Sequence, residues 1–135
     1  MQVSLGVEGA PAADYSCFAG AGAFRSTPSD LVRLGSAMIK PGLLKAGTVA
    51  LFQMPLQLES GASTGFALGW KVDRVLLAGK PARLVRHRAN LIGGAVSLWL
   101  IPDLGLVIAA ASNVSHTDSV DPFSLQIAEA FVRSQ

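Results

Sequence analysis

The residues most suited to chemistry in this chain stand near the end of one predicted strand: Arg86, His87, Arg88 and Asn90. A strongly apolar strand, residues 95–101, follows after a glycine-containing bend, so polar chemistry would have to be sited in this cluster. Guanidinium and imidazole groups donate hydrogen bonds, so this cluster could bind a polar ligand. We take His87, Arg88 and Asn90 as the candidate substrate-binding residues.

Strand geometry predicts how this cluster is oriented. Successive side chains of a strand point to opposite faces, so Arg86 and Arg88 share one face and His87 takes the other. Only one of these two sets is expected to face a pocket, and we predict that it is His87. The plainer interpretation is that a histidine flanked by two arginines at a strand end is a solvated edge.

Other residues that could do chemistry have simpler explanations. Asp118 and Asp121 are close in sequence, but Asp121 is better explained as a helix cap than as half of an acid/base pair. His116 lies in a loop rich in Ser, Thr and Asp and is expected at the surface. Trp70 and Trp99 are expected in a core or an interface, because no basic groove accompanies them. No pattern resembles a phosphate-binding loop or a zinc site, and no metal or other cofactor is expected.

Composition narrows the classes of function. The net charge is only +2 and the pI is about 9.0, far from the dense Lys/Arg surface that binding to nucleic acid requires. Of the 135 residues, 50% are hydrophobic and 15% are charged, which argues against disorder and for a sheet covered on both faces. The single Cys17 cannot form an internal disulfide and offers no metal-ligand spacing.

Neither a membrane span nor a signal peptide is predicted. The first residues have no basic region and no apolar run of the length that a signal peptide needs. Residues 95–112 are mostly apolar, but Pro102 and Asp103 divide them into halves too short to cross about 30 Å of hydrocarbon. The chain as it stands is expected in the cytoplasm, or in the periplasm if it is part of a longer precursor.

Two helices are predicted before residue 56. Thr27 as N-cap and Pro28 at the first helical position favour helix initiation. Apolar residues at helical spacing then continue over about 28–39, and the Pro41-Gly42 pair ends the helix. A shorter helix is predicted at about 46–53.

A third helix is predicted at the C-terminal end of the sequence, over residues 121–134. Asp121 is expected to cap it and Pro122 to take its first position, with a hydrophobic contact between Val120 and Leu125. This helix should lie on the sheet. Its buried stripe is predicted to be Phe123, Ile127, Ala130 and Phe131.

From Gly65 onward the spacing of the apolar residues becomes that expected of β-strands. Four consecutive strands with short connections favour an antiparallel meander. The last two strands are apolar on both faces and are therefore expected at the centre of the sheet. The strands are predicted at 66–77, 82–89, 95–101 and 106–112, with turns at 78–81 and 102–105.

These elements predict an α+β fold, in which helices pack on an antiparallel meander of about four strands. The 135 residues are expected to form a single domain. Its parts would be an extended lead-in at 1–25, a helical segment at 26–55, the antiparallel sheet at 65–113 and the C-terminal helix at 121–134.

Five short pieces of sequence, taken in order, carry a family resemblance. They are DYSCFAGAGAFRSTPSDL at 14–31, GLL at 42–44, FALGW at 66–70, PDLGLVI at 102–108 and SN at 112–113. With this spacing the chain resembles the C-terminal portion of the serine beta-lactamase-like family, which includes class C beta-lactamases, DD-peptidases and related esterases. The resemblance covers nearly the whole chain and implies the corresponding half of that fold.

The resemblance implies a catalytic serine that this sequence does not match. Family members attack a carbonyl with the Ser of an S-x-x-K motif, assisted by the Tyr of a Y-x-N motif, and both precede the segment matched here. No Ser-x-x-Lys spacing occurs in the sequence. Tyr15-Ser16-Cys17 is the nearest imitation of Y-x-N, but it is out of order and has Cys in place of Asn. Because an activated nucleophile needs an adjacent base, we identify no catalytic residue and expect no turnover by this chain alone.

The third motif of the family is K-T-G, often H-x-G in esterase-like members, and His87-Arg88-Ala89 resembles it. His87 matches the first position. Ala89 carries a methyl group where Gly would let the backbone approach a substrate closely. The resemblance further implies that a backbone N–H just past the motif, at Asn90, completes the oxyanion hole. It also implies that the cluster offers hydrogen-bond donors to a small carboxylate or ester, as the Lys of K-T-G does in relatives.

Two hypotheses follow. In the first, the chain is the C-terminal part of a beta-lactamase-like serine hydrolase, for beta-lactam or ester hydrolysis, with His87 on one wall of a site that other residues complete. In the second, it is a self-standing oligomeric protein that acts by binding or as a structural element, with at most weak esterase activity.

Without the family's preceding strands and nucleophile-bearing helix, the sheet would have an unpaired edge and an uncovered apolar patch. A homodimer or larger closed oligomer is therefore expected.

Overall fold

The computed structural model describes Gly6 and residues 8–22, 24–40, 42–115 and 118–134. The predictions for Pro41 and His116 fall outside the described residues. The elements in chain order are α1 (Pro28–Ile39), α2 (Ala46–Gln53), β1 (Lys71–Leu77), β2 (Lys80–Leu91), β3 (Gly94–Ile101), β4 (Leu106–Ser112) and α3 (Val120–Arg133), preceded by a 3-10 turn at Ser16–Phe18.

The four strands form one antiparallel sheet in the order β1-β2-β3-β4, which confirms the predicted meander. α1 and α2 pack on one face of this sheet, and α3 packs on the other. The fold class is therefore α+β, as predicted. In the ranges given above, no helix is both long enough and apolar enough to span a bilayer.

The helices α1 and α2 have the bounds that the sequence predicts. The Thr27 hydroxyl accepts a hydrogen bond from the backbone N–H of Asp30, which satisfies a donor that the first turn leaves unpaired. α1 ends at Ile39 because the backbone of Lys40 is extended. Gly35 lets α1 approach the sheet closely, since a Cβ at this position would lie 2.6 Å from Cγ1 of Val107.

The first hairpin is shorter at its start than predicted. β1 begins at Lys71 rather than at Phe66, because Gly65 and Gly69 have φ values of +70° and +80° that interrupt an extended strand.

The turn of this hairpin is also tighter than predicted, so β2 begins at Lys80 instead of residue 82. Only Ala78 and Gly79 form the turn, with φ values of 47° and 78°. Two central residues with positive φ are the pattern of a type I′ turn, whose twist matches that of the strands it joins.

The second hairpin has the predicted turn but not the predicted position. Pro102–Leu104 form one 3-10 turn, and Gly105 follows in the left-handed conformation at φ 59°. β4, however, lies at the edge of the sheet, so the prediction that both apolar strands are central is wrong for β4. Its residues are apolar on both faces because α1 covers one face and α3 the other.

Two apolar clusters lie on opposite sides of the sheet. The cluster on the α3 side includes Trp99, Ile101 and Ala128, and Trp99 is only 4% exposed, as expected of a core residue. The cluster on the side of α1 and α2 includes Leu100 and draws in Trp70 at its margin.

The C-terminal helix differs from prediction in its start and in its buried face. α3 begins at Val120 with Ser119 as N-cap, so Asp121 and Pro122 lie inside its first turn and Asp121 is not the cap. Val120 packs with Ala95 and Ala110 of the sheet. The buried face of α3 consists of Val120, Ser124 and Ala128, small side chains that allow a close approach to the sheet.

The stripe predicted to be buried on α3 faces outward instead. Phe123 is 56% exposed, Ile127 37% and Phe131 41%, and Ala130 is exposed beside them. The helix therefore has apolar residues on two faces, and periodicity alone could not tell which face meets the sheet.

Candidate substrate-binding site

The candidate site exists because β2 is longer than β1. Lys71, the first residue of β1, pairs with Arg86, so among the described residues, positions 87–91 of β2 pair with β3 alone. A cavity of about 470 Å³ opens beside this end of β2. Its apolar wall is formed by Phe66, Ala67 and Trp70, and its polar wall by Arg86, His87, Arg88 and Asp121.

The loop that precedes β1 forms the apolar wall and is held by its own backbone. The N–H of Ala67 donates to the carbonyl of Trp70 at 2.8 Å, and the N–H of Val72 donates to the carbonyl of Gly65 at 2.8 Å. The Trp70 ring lies edge-on to the imidazole of His87, with 6.4 Å between the ring centroids. This arrangement brings the loop backbone next to His87.

His87 is anchored to this loop through one ring nitrogen. Its Nδ1 lies 2.9 Å from the carbonyl oxygen of Gly69. A carbonyl oxygen can only accept, so Nδ1 carries a hydrogen, and in the neutral ring Nε2 has the lone pair. The side chain is exposed at the wall of the cavity, where Nε2 is the ring nitrogen available to a ligand.

The cavity is lined from both faces of β2, unlike the prediction that only one set of side chains would face it. Arg86 and Arg88 lie on the face that carries α3, and His87 lies on the opposite face, yet all three line the cavity. The reason is that β1 has ended at this point. The cavity therefore opens at the edge of β2, which side chains from both faces can reach.

Each cation that lines the cavity is paired with a carboxylate. The ion pairs are Arg86–Asp121 at 2.7 Å, Arg86–Asp73 at 3.1 Å, Lys71–Asp73 at 3.4 Å and Arg88–Asp118 at 2.7 Å. The hydrogen bond to Asp118 raises the pKa of the Arg88 guanidinium. Three cations are thus balanced by three carboxylates, and both guanidinium groups predicted to bind a ligand carboxylate form ion pairs within the protein.

Asp121 is the site residue that sequence reasoning assigned wrongly. Its carboxylate accepts hydrogen bonds from Ser97 Oγ at 2.5 Å and Trp99 Nε1 at 3.1 Å, and from Arg86 at 2.7 Å. Ser97 is fully buried, so this bond satisfies a hydroxyl that has no access to water. The sequence did contain one signal for this network. Ser97 is a polar residue inside an apolar strand, on the same face as Trp99.

Asn90, the third candidate, does not line the cavity. It is exposed and pairs with Ala95 close to the β2–β3 turn. Ala89 lies in a separate depression, near Tyr15, whose hydroxyl donates to the carbonyl of Ile92 at 3.2 Å. The structure therefore brings together His87 and Arg88, but not the side chain of Asn90.

A family model described as Beta-lactamase matches residues 2–130 of the chain. The chain belongs to the beta-lactamase family. The match spans nearly the whole sequence and confirms the resemblance seen in its motifs, and with it a serine-hydrolase type of fold. A search of the curated proteins found no match. Among the described side chains of this beta-lactamase family member, no three His, Cys, Asp or Glu residues converge as metal ligands would.

Proposed function

We propose that this chain is the C-terminal part of a beta-lactamase-like serine hydrolase that acts on esters, with the nucleophilic serine supplied by residues outside this sequence. One observation carries the proposal. His87, at the position of the family's H-x-G motif, lies on the wall of a cavity of about 470 Å³ with Nδ1 bonded to Gly69. That bond fixes the tautomer and leaves Nε2 for a substrate.

The charges around the cavity favour an ester over a beta-lactam. Penicillins carry a carboxylate, which would need an unpaired cation in the site. Arg86, Lys71 and Arg88 are all held by carboxylates of the protein, so an added anion would meet little net positive charge. The apolar wall of Phe66 and Trp70 suits instead the acyl chain of a neutral ester.

The free edge of β2 supplies unpaired backbone N–H groups in the proposed reaction. In the part of the chain that the structure describes, no strand pairs with residues 87–91 on the side away from β3. Backbone N–H groups that stabilise the oxyanion of a tetrahedral intermediate must be unpaired in this way. Asn90 lies on this free edge, outside the lining of the cavity, and we propose its backbone N–H as one such donor. The nucleophile would attack the ester carbonyl, the alcohol would leave, and water would then release the acid.

Hydrolysis assays on the chain alone test the first part of the proposal. We expect neither p-nitrophenyl butyrate nor a chromogenic cephalosporin to be hydrolysed faster than by the His87→Ala variant. Ester turnover that this substitution abolishes would contradict the proposed external nucleophile.

Ligand titration tests the proposed substrate class. Methyl butyrate, a neutral ester, should shift the imidazole NMR resonances of His87, whereas sodium butyrate at the same concentration should shift them much less. Equal shifts by both ligands, or none by the ester, would count against an ester site.

The second candidate is a self-standing oligomeric protein that works by binding or as a structural element, with at most weak esterase activity. Two features favour it. The first is the outward stripe of α3, formed by the exposed side chains of Phe123, Ile127 and Phe131. The second is the edge of the sheet at β4, which has no partner on its outer side among the described residues. Apolar helix faces and open sheet edges of this kind are commonly covered by another subunit.

A further inference from the structure

A second cavity, of about 490 Å³, lies between α2 and the first part of β2. One face of α2 lines it, from Ala46 through Ala50 to Gln53, and Met54 and Arg83 contribute at the end of the helix. Arg83 and His87 share a face of β2, but they are four residues apart, about 13 Å along a strand. This cavity is therefore separate from the one at His87.

Arg83, which lines this cavity, has a second arginine opposite it in the sheet, and that arginine lines an adjoining depression. Arg74 of β1 is the direct cross-strand partner of Arg83 of β2, an arrangement in which like charges repel. Within the described ranges, neither guanidinium has a carboxylate in ion-pair range, whereas Arg86 and Arg88 on the same strand are both paired. Asp103 lines a smaller depression with both arginines, and its carboxylate accepts the backbone N–H of Arg83 at 2.8 Å.

Gln53 holds the Arg83 guanidinium in place over the cavity. This glutamine is only 7% exposed, and its Nε2 donates to the carbonyl of Met38 at 2.7 Å. Its Oε1 accepts a hydrogen bond from the Arg83 guanidinium. A guanidinium has five N–H donors in a rigid fork, so Arg83 retains donors for a ligand on a fixed side of the cavity.

We propose that this cavity binds an organic carboxylate with a short apolar tail. The carboxylate accepts hydrogen bonds from Arg83, and its negative charge offsets the repulsion between Arg83 and the neighbouring Arg74. The tail lies along the apolar face of α2. From Ala46 to Gln53 this face is about 10 Å long, at 1.5 Å per residue, which suits a straight chain such as that of octanoate.

Calorimetric titration with sodium octanoate tests the proposal, and amide and side-chain NMR shifts locate the bound ligand. We expect saturable binding that shifts the Gln53 side-chain amide and the Arg83 guanidinium resonances. Acetate, which lacks the tail, and octylammonium, which has the same tail with the opposite charge, should each bind at least tenfold more weakly. Absence of octanoate binding at millimolar concentration, equal binding of octylammonium, or shifts centred on His87 would overturn the proposal.

Substitutions distinguish binding at this cavity from non-specific binding of an apolar anion to the protein. Arg83→Gln should weaken octanoate binding about tenfold or more, since a charge-assisted bidentate contact is lost, and Arg74→Gln should have a smaller effect in the same direction. Ala50→Phe, at an exposed position on the cavity wall, should block the tail. Arg133→Gln, on α3 at the other face of the sheet, is the matched control and should leave binding unchanged. Unaltered affinity in both Arg83→Gln and Ala50→Phe, with circular dichroism unchanged, would refute the site.

Discussion

Asp121 holds residues of two neighbouring strands with one carboxylate: Arg86 of β2, and Ser97 and Trp99 of β3. The carboxylate is 17% exposed and its arginine partner 23%, so both charges are largely withdrawn from water. Ser97 has no exposure at all. Because Arg86 directly precedes His87 in β2, this network stabilises the part of β2 that forms the polar wall of the cavity.

Asp121→Ala should destabilise the protein by about 3 kcal/mol, because it leaves a partly buried guanidinium and a buried hydroxyl without their acceptor. Urea denaturation followed by circular dichroism measures the change. Asp118→Ala is the matched control, since Asp118 is 93% exposed and its loss should not move the urea midpoint measurably. Equal midpoints for the two variants would show that the Asp121 network adds no stability.

The chain should not be acylated by a beta-lactam. The sequence has no Ser-x-x-Lys spacing, and a serine without an adjacent base is a poor nucleophile. Intact-mass spectrometry after incubation with a penicillin is the measurement. Because Cys17 is exposed, Cys17→Ser serves as the control for an adventitious thiol adduct. An adduct that survives denaturation and maps to a serine in both proteins would contradict the prediction.

At the scale of elements, the sheet is positioned between helices by close contact at small residues. α1 meets β4 at Gly35, where the space beyond the glycine is filled by Val107. α3 meets the other face through Ser124 and Ala128. These contacts cover both faces of β4, which explains how an edge strand can be apolar on both sides.

Two glycine substitutions distinguish packing from helix propensity. Gly35→Ala should destabilise by about 1 kcal/mol, because a Cβ 2.6 Å from Val107 Cγ1 forces a stiff, β-branched side chain to move and the cost exceeds the gain in propensity. Gly47→Ala in α2 should stabilise by about 0.5 kcal/mol, since no atom of the part of the chain that the structure describes lies within 4 Å of its Cβ position. Urea unfolding of both variants checks the opposite signs, and a stabilising Gly35→Ala would refute the close contact.

At the scale of the molecule, the described residues leave apolar side chains exposed on two surfaces that could meet a partner. One is the outward stripe of α3, and the other is the segment around α2 and the following loop, where Leu51 is 53% exposed, Leu56 54% and Leu68 51%. Surfaces of this kind are uncommon on monomeric proteins unless they bind a partner.

We expect the isolated chain to form a dimer or larger closed oligomer at micromolar concentration. Phe131→Glu should shift it toward the monomer, because a charge in the outward stripe of α3 cannot be buried without a partner. Light scattering coupled to size exclusion measures the mass. Leu76→Glu, at an exposed apolar position of β1, is the matched control and should leave the mass unchanged. A wild-type mass of 14.0 kDa, that of one chain, would contradict the expectation.

Local signals in the sequence were sufficient to predict much of the fold. The cap at Thr27 and the proline at Pro28 predicted α1 with its observed bounds, and the turn residues from Pro102 to Gly105 predicted the hairpin of β3 and β4. These signals succeed because a helix cap or a tight turn is formed by residues next to each other in the chain. The meander followed from the short connections between its strands.

Only the tertiary structure decided which side of each element is used. Periodicity identified the apolar stripe of α3 but not the small residues, Ser124 and Ala128, that meet the sheet. Asp121 was predicted as a cap, yet its partners Arg86 and Ser97 are 35 and 24 positions away in the chain. Contacts at this range depend on how separate elements pack, and a local pattern does not contain that information. The sequence by itself therefore determined the elements, the meander and the family, whereas packing decided the cavity at the edge of β2 and the charges that surround His87.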